Sequence, residues 1–356
     1  MIRYGPAGIP LSCKGRTLKD GIEDVHNLTL NALEIQMVRP KTLVRAPDED
    51  NEVGKTIREL TADAGFVIGI DRDGDVLYNQ DEIIDAEDNL VYLESGVAPC
   101  FGDLAGLGNM AQRLDVSLSL HTPYYMDLGS DDDLTADCMA SLQHAGIILN
   151  ELRGDIVVTN VGLYTASRDR TDTDVSIKEN LKGLVKWWKK DKLTPRLGIE
   201  VTGQQDVYGS LEQVLDLCDA VKGLTPVLNF PHYFSRTKGS LETSSDFADL
   251  IQQFQPYCKD NASLYTSFSG VEYDQDGNER RLTPIKKGDL KFEPLAEALC
   301  ELKPEMTIIS SSPLLEHDAM YMQIITERIL SKHVAKDLKE RKKAEGTPAD
   351  GSTGGE

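Results

Sequence analysis

Asp155-Ile156-Val157-Val158-Thr159-Asn160 and Leu197-Gly198-Ile199-Glu200-Val201 are short β-rich runs, and between them residues 176–188 space their apolar positions as a helix does. The same texture extends in both directions. Upstream lie residues 2–4, Leu33-Glu34-Ile35-Gln36-Met37-Val38 and Val116-Ser117-Leu118-Ser119-Leu120-His121. Downstream lie Pro226-Val227-Leu228-Asn229, Leu264-Tyr265-Thr266-Ser267-Phe268 and Met306-Thr307-Ile308-Ile309-Ser310. Helical spacing recurs at 134–152, behind the acidic start Asp131-Asp132-Asp133, and at 210–221, 246–254, 295–302 and 318–340. About eight strand–helix units predict an α/β chain folded as a (β/α)8 TIM barrel. The competing open, doubly wound sheet lacks a Gly-x-Gly-x-x-Gly turn.

Residues 40–96 interrupt this rhythm after the second strand, where a βα unit needs only ~30 residues. Val53-Gly54-Lys55-Thr56-Ile57-Arg58-Glu59-Leu60 reads as a short helix. Runs at 66–70 and 76–78 flank Asp71-Arg72-Asp73-Gly74-Asp75, and Asp-Gly between β runs signals a hairpin. Three aspartates also suit calcium, but Gly74 stands fourth where an EF-hand loop needs glycine sixth, so the hairpin reading is preferred. The expected organisation is a barrel from 1–39 and 97–340, a small α+β domain inserted at 40–96, and a disordered, Pro/Gly-rich polar tail at 341–356.

The 356 residues carry 38 Lys+Arg against 59 Asp+Glu, a formal net charge of -21. That balance argues against unselective binding to nucleic acid or anionic membrane. No run of ~18 apolar residues offers a membrane span, and the first six residues lack the apolar core of a signal peptide. Cys13, Cys100, Cys138, Cys218, Cys258 and Cys300 form no close pair, as expected of thiols in a reducing cytoplasm rather than of a disulfide framework or thiolate zinc site. A soluble, cytoplasmic protein is the expectation.

In such a barrel the chemistry gathers at the C-terminal ends of the strands. Those positions hold His121, Asn160, Glu200, Asn229 with His232, Ser267 and Ser311. His121-Thr122-Pro123-Tyr124-Tyr125-Met126-Asp127-Leu128 resembles the His-x-Pro-Tyr…Leu segment of endonuclease IV, the three-zinc enzyme that cuts DNA at abasic sites. Glu200-Val201-Thr202-Gly203-Gln204, Asn229-Phe230-Pro231-His232, Glu279-Arg280-Arg281 and Ser311-Ser312-Pro313 resemble its further motifs. The look is that of archaeal members within the wider endonuclease IV and xylose-isomerase-like group. Separately, residues 54–60, Arg72-Asp73-Gly74 and 87–93 resemble the C-terminal ligand-binding domain of potassium-conductance regulators. That likeness implies self-association or a small anionic ligand at 40–96.

The endonuclease IV resemblance implies metal ligands at His121, Glu200, His232 and Glu279, with Glu200 and His232 catalytic. The chain departs from the pattern at Asn160, Ser267 and Arg281, where the family has histidine, at Asn229, where it has aspartate, and at Ser311, where it has glutamate. Amides and hydroxyls are poor zinc ligands, so zinc or another divalent metal is expected at reduced occupancy, with no complete site. Arg236, Lys238, Arg280, Arg281, Lys286 and Lys287 fall in two loops expected above the barrel's C-terminal face. Arg236 and Arg281, with Asn160, Asn229 and Tyr124, are therefore expected to bind a phosphate or carboxylate that metals held in the relatives. Solvated loops are the alternative.

Three functions follow. The first is an endonuclease IV-like barrel with eroded metal sites, binding a phosphate-bearing or nucleic-acid ligand, such as damaged DNA, with weak or no hydrolysis. The second is an active divalent-metal phosphodiesterase in DNA repair. The third, a sugar isomerase or epimerase, normally needs a four-ligand metal site from which Asn229, Ser267 and Ser311 remove three ligands.

Overall fold

The computed structural model describes residues 1–38, 40–130, 132–258 and 263–345. In chain order the elements begin with β1 (Ile2–Pro6), α1 (Leu18–Asn27), β2 (Ala32–Gln36), β3 (Lys41–Arg45), β4 (Val67–Arg72), β5 (Asp75–Leu77) and β6 (Asn89–Glu94). They continue with α2 (Asp103–Arg113), β7 (Ser117–His121), α3 (Asp133–Glu151), β8 (Ile156–Thr159), α4 (Arg170–Lys190), β9 (Arg196–Glu200) and α5 (Leu211–Ala220). The rest are β10 (Leu224–Asn229), α6 (Phe230–Arg236), α7 (Ser244–Phe254), β11 (Leu264–Phe268), β12 (Gly270–Tyr273), β13 (Glu279–Thr283), α8 (Phe292–Leu302), β14 (Met306–Ser310) and α9 (Glu316–Glu345).

The eight expected runs become one parallel sheet in the order β1-β14-β11-β10-β9-β8-β7-β2. It closes on itself through a parallel bridge between Ala7 and Glu34 and a hydrogen bond from the Asn31 amide to the Tyr4 carbonyl, 3.0 Å. Closure brings β1 and β2 so near that a Cβ on Gly5 would sit 1.7 Å from the Ala32 carbonyl oxygen, which is why glycine stands there. The fold is a (β/α)8 TIM barrel.

Side chains alternate across a strand, so every second residue faces the barrel interior. Ala32, Ile156, Val158, Val227, Tyr265 and Ile309 form the small inner core, separate from the large core between sheet and helices. Continuing the same alternation toward the C-terminal ends gives Gln36, His121, Asn160, Glu200, Asn229, Ser267 and Ser311. The inner column changes from apolar to polar at the mouth, and that change positions the site.

Strands β3 to β6 make their own antiparallel sheet in the order β3-β6-β4-β5, with no pairing to the barrel sheet among the described residues. The hairpin falls where Asp73-Gly74 indicated, with φ of +56° and +89° at those residues. Two readings are corrected. The helix expected at 53–60 is only a 3-10 turn at Ile57–Glu59, because Gly54 at φ +82° cannot continue into it. The edge strand β3 was not anticipated.

Asp132 caps α3, and Asp131 lies outside the described residues. Of the expected disordered tail, 341–345 continue helix α9, and 346–356 lie outside the described residues. No described helix is long and apolar enough to cross a membrane.

Candidate active site at the barrel mouth

Glu200, at the end of β9, is the centre of the mouth and is buried. Asn229 Nδ2 donates to its Oε1 at 2.9 Å, His121 Nε2 lies 3.4 Å from its Oε2, and His232 Nδ1 lies 3.8 Å from the same oxygen. The Asn229 amide cannot turn round. It is the N-cap of α6, where its Oδ1 accepts from the His232 backbone N–H at 3.2 Å, leaving Nδ2 for Glu200.

His121 places Nδ1 2.6 Å from the Thr122 carbonyl, a bond that makes Nδ1 the donor and turns Nε2 toward Glu200. Burial by itself would push the imidazole toward its neutral form. The hydrogen bond and charge of Glu200, the charge of Glu34 and the Thr122 carbonyl outweigh burial, and the pKa is pushed up to about 9. Burial acts on Glu200 in the raising direction, and His121, His232 and Asn229 together reverse it, so the carboxyl stays below its usual range. Both shifts favour the pair as imidazolium and carboxylate.

His232 is held through Nδ1, 2.9 Å from the Val201 carbonyl, so that Nε2 stands 3.3 Å from Glu279 Oε2. Glu279 reaches it over Gly203, where a Cβ would lie 2.8 Å from that same oxygen. Glu279 Oε2, Asn160 Oδ1 and Ser311 Oγ are buried side-chain atoms with no hydrogen-bond partner in the protein. Each such atom costs about 1–3 kcal/mol unless a ligand group completes it.

Sequence reasoning missed the inner wall of the site. Tyr265 Oη lies 2.5 Å from Ser119 Oγ and donates to Glu34 Oε2 at 2.7 Å, while Gln36 Nε2 donates to Glu34 Oε1 at 2.6 Å. Burial, the largest influence on Glu34, raises its carboxyl pKa. Tyr124 joins the network through a 3.2 Å bond to Gln36 Oε1, its ring centroid 4.7 Å from that of His121. A cavity of about 280 Å3 opens beside Glu34 and Gln36, bordered by Gly8, Arg16, Gly96 and Leu315. The available signal was polar Glu34 and Gln36 in phase with the inward face of an otherwise apolar strand.

Two expected site residues lie elsewhere. Arg281 is 70% exposed and spends Nε and Nη2 on Glu272, 2.8 Å each, across the β12–β13 hairpin. The extra residue Arg280 makes a bulge there, so Glu279 faces His232 while both arginines are exposed. Arg236 is half-buried, and its Nη1 donates to the Val207 carbonyl at 3.2 Å, to Thr202 Oγ1 at 3.1 Å and to the Gln204 carbonyl. It ties down the loop at 202–207. Neither guanidinium forms the open anion site expected beside Glu200.

Nor does the donor set fit a complete metal site. Among the described residues, no three His, Cys, Asp or Glu side chains converge as metal ligands. What remains are two His–carboxylate pairs, His121–Glu200 and His232–Glu279. In the first, a proton and an amide N–H stand against the carboxylate.

The model of the xylose isomerase-like TIM barrel family matches residues 92–311. The chain belongs to that family. An uncharacterized protein of Methanocaldococcus jannaschii is 25% identical over 211 residues, which cover 58% of this chain and 76% of that one. Among solved structures, a D-tagatose 3-epimerase-like protein superposes with a TM-score of 0.58 at 14% identity, covering 89% of this chain and 96% of its own. Endonuclease IV from Thermus thermophilus gives 0.58 at 14% identity, with 93% and 99% covered. These likenesses to solved structures are of fold. Within the xylose isomerase-like family, the chemistry of this chain has to be argued from its own mouth.

Proposed function

We propose that this xylose isomerase-like barrel binds a compact hydroxyl-rich group, such as a pentose, at a mouth whose metal sites are eroded, with hydrolysis of phosphodiesters weak or absent. The observation that carries the reading is the Asn229–Glu200–His121 chain. A carboxylate that takes an amide N–H on one oxygen and an imidazolium beside the other has its charge balanced by protons, as a metal centre would balance it by cations. The rest of the mouth supports a neutral ligand. Asn160 Oδ1, an acceptor, and Ser311 Oγ, which can donate or accept, have no hydrogen-bond partner in the protein and suit hydroxyl groups. The expected phosphate-bearing ligand loses its support, because Arg236 and Arg281 donate to other oxygens and the buried Glu34 and Glu200, with the half-buried Glu279, place carboxyl groups in the mouth. A pentose can arrive free or as the exposed sugar of a damaged nucleic-acid strand, and the test separates the two.

The test is calorimetric titration in chelator with D-ribose, with 2-deoxy-D-ribose and with a duplex carrying an abasic site. Saturable sugar binding that Asn160→Leu weakens about three- to tenfold is expected, with no strand cleavage on adding zinc or manganese. Efficient metal-dependent cleavage, or failure to bind either sugar, contradicts the proposal. A second reading, a single divalent ion, is favoured by one observation: His232 Nε2 and the unpartnered Glu279 Oε2 stand 3.3 Å apart, facing each other. Elemental analysis of wild type and Glu279→Gln separates it.

A further inference from the structure

Five large apolar side chains stand in solvent around one side of the barrel mouth. Leu314 follows β14, Leu11 follows β1, Val38 follows β2, and Tyr124 and Tyr125 follow β7; each is 41–55% exposed. These four strands are consecutive round the barrel, in the order β14-β1-β2-β7 across the seam. Bonds between the loops hold the arc together. The Glu316 carboxylate, two residues past Leu314, accepts the Leu11 and Ser12 amides at 2.9 and 3.0 Å. Tyr124 Oη donates to Gln36, two residues before Val38. A single exposed apolar residue is ordinary on a protein surface, whereas five on adjoining loops mark a contact surface.

The arc also departs from the charge of the chain. Residues 7–17, 37–38, 122–130 and 311–315 hold two cations, Lys14 and Arg16, and a single acid, Asp127. Asp127 is buried and bound by Arg168 at 2.7 Å. Glu316 is buried and taken up by the two amides, and in α1 Asp24 holds Ser12 while Asp20 holds Thr17. Acids resume at Asp132 and Asp133, where α3 starts. Lys14 and Arg16 are exposed, and of Arg16 only Nη1 is bonded among the described residues, to the carbonyls of Ile9 and Pro10. In a chain of net charge -21, these loops show solvent two cations and no anion of their own.

We infer that this arc is a docking surface for an anionic lipid bilayer, with the mouth opening toward the headgroups. Aliphatic and tyrosyl tips enter the boundary between headgroups and acyl chains, and Lys14 and Arg16 meet the acidic headgroups beside them. A nucleic-acid strand would use the two cations and leave Leu11, Val38 and Leu314 without a partner. The net charge of -21 opposes unselective adsorption. At physiological salt, however, charges more than ~8 Å from the surface are largely screened, so the face presented decides. The docking is independent of which ligand the mouth binds.

The test is co-sedimentation of the full chain with vesicles of phosphatidylcholine, alone or mixed in equal parts with phosphatidylglycerol. Binding to the mixed vesicles is expected to be about tenfold tighter or more, and to weaken as salt rises. Combining Leu11→Ser with Leu314→Ser should weaken it about tenfold or more, and Arg16→Glu about tenfold at low salt. Leu338→Ser, at an exposed position near the far end of α9, should stay within about twofold of wild type. All these side chains are exposed, so the variants should unfold at the wild-type urea midpoint. No binding to the mixed vesicles at low salt overturns the inference, as does equal binding to both lipids or a double variant that binds like wild type. So does a dimer, seen by light scattering without lipid, that the double variant dissolves, because a second copy then covers the arc.

Discussion

Asn229 and His121 are the two side chains set against the buried carboxyl group of Glu200. Asn229→Asp keeps the cap on α6 but replaces the donor to Glu200 by a second buried carboxylate. At neutral pH it should cost about 2–4 kcal/mol in urea unfolding, and zinc should restore part of the loss. Two histidines set the pH dependence with opposite signs. His121 has its pKa raised from 6.5 to about 9, so its contribution is complete below 6.5 and is lost as pH rises through about 9. His144, buried against Tyr78, has its pKa lowered by burial to about 4, so stability is lost as pH falls from 6.5 toward 4, by about 3 kcal/mol at most. Urea midpoints across pH should peak near 6.5, with His121→Gln flattening the alkaline limb and His144→Phe the acid limb. A wild-type profile flat from about pH 4 to about 9 would remove both assignments. At this scale the sequence was partly readable: the rim residues are one per strand and in phase. The role of Asn229 as donor was hidden, because which way an amide points depends on the cap it makes.

Most of the eight barrel strands were legible as short β-rich runs with a polar residue at or just past the C-terminal end, such as β7 ending at His121, β9 at Glu200 and β10 at Asn229. Helices α1 and α2 were not picked out, since they are short and broken by glycines. Gly108 stands in α2 because a Cβ there would lie 2.5 Å from the Leu152 carbonyl oxygen, where α2 packs on the end of α3. The hairpin misled for a different reason. Alternation assigns Arg281 to the same face as Glu279, and the bulge at Arg280 cancels it, a backbone event that residue types do not announce. The element most exposed to a single change is β1 at the barrel seam. Gly5→Ala must part β1 from β2 and should cost about 1–3 kcal/mol or more, read as a lower urea midpoint with unchanged slope. Wild-type stability in Gly5→Ala would show that the seam is loose.

For the whole molecule, the basic loops read as an anion site were misleading. In a chain of net charge -21 a basic loop has oxygens of its own to meet: Arg281 meets Glu272, and Arg236 meets the carbonyls of the loop it ties down. The inserted sheet also had to be seen in place, because its packing against α3 and α4 joins residues distant in sequence, such as Tyr78 and Trp187. If the proton of His121 and the amide of Asn229 balance the charge of Glu200, as proposed, the protein as purified should need no metal ion there. Elemental analysis of protein prepared without chelator tests it most directly. Well below three zinc ions per chain are expected, with at most one site filled, at His232 and Glu279. Two or three tightly held ions per chain would contradict the account.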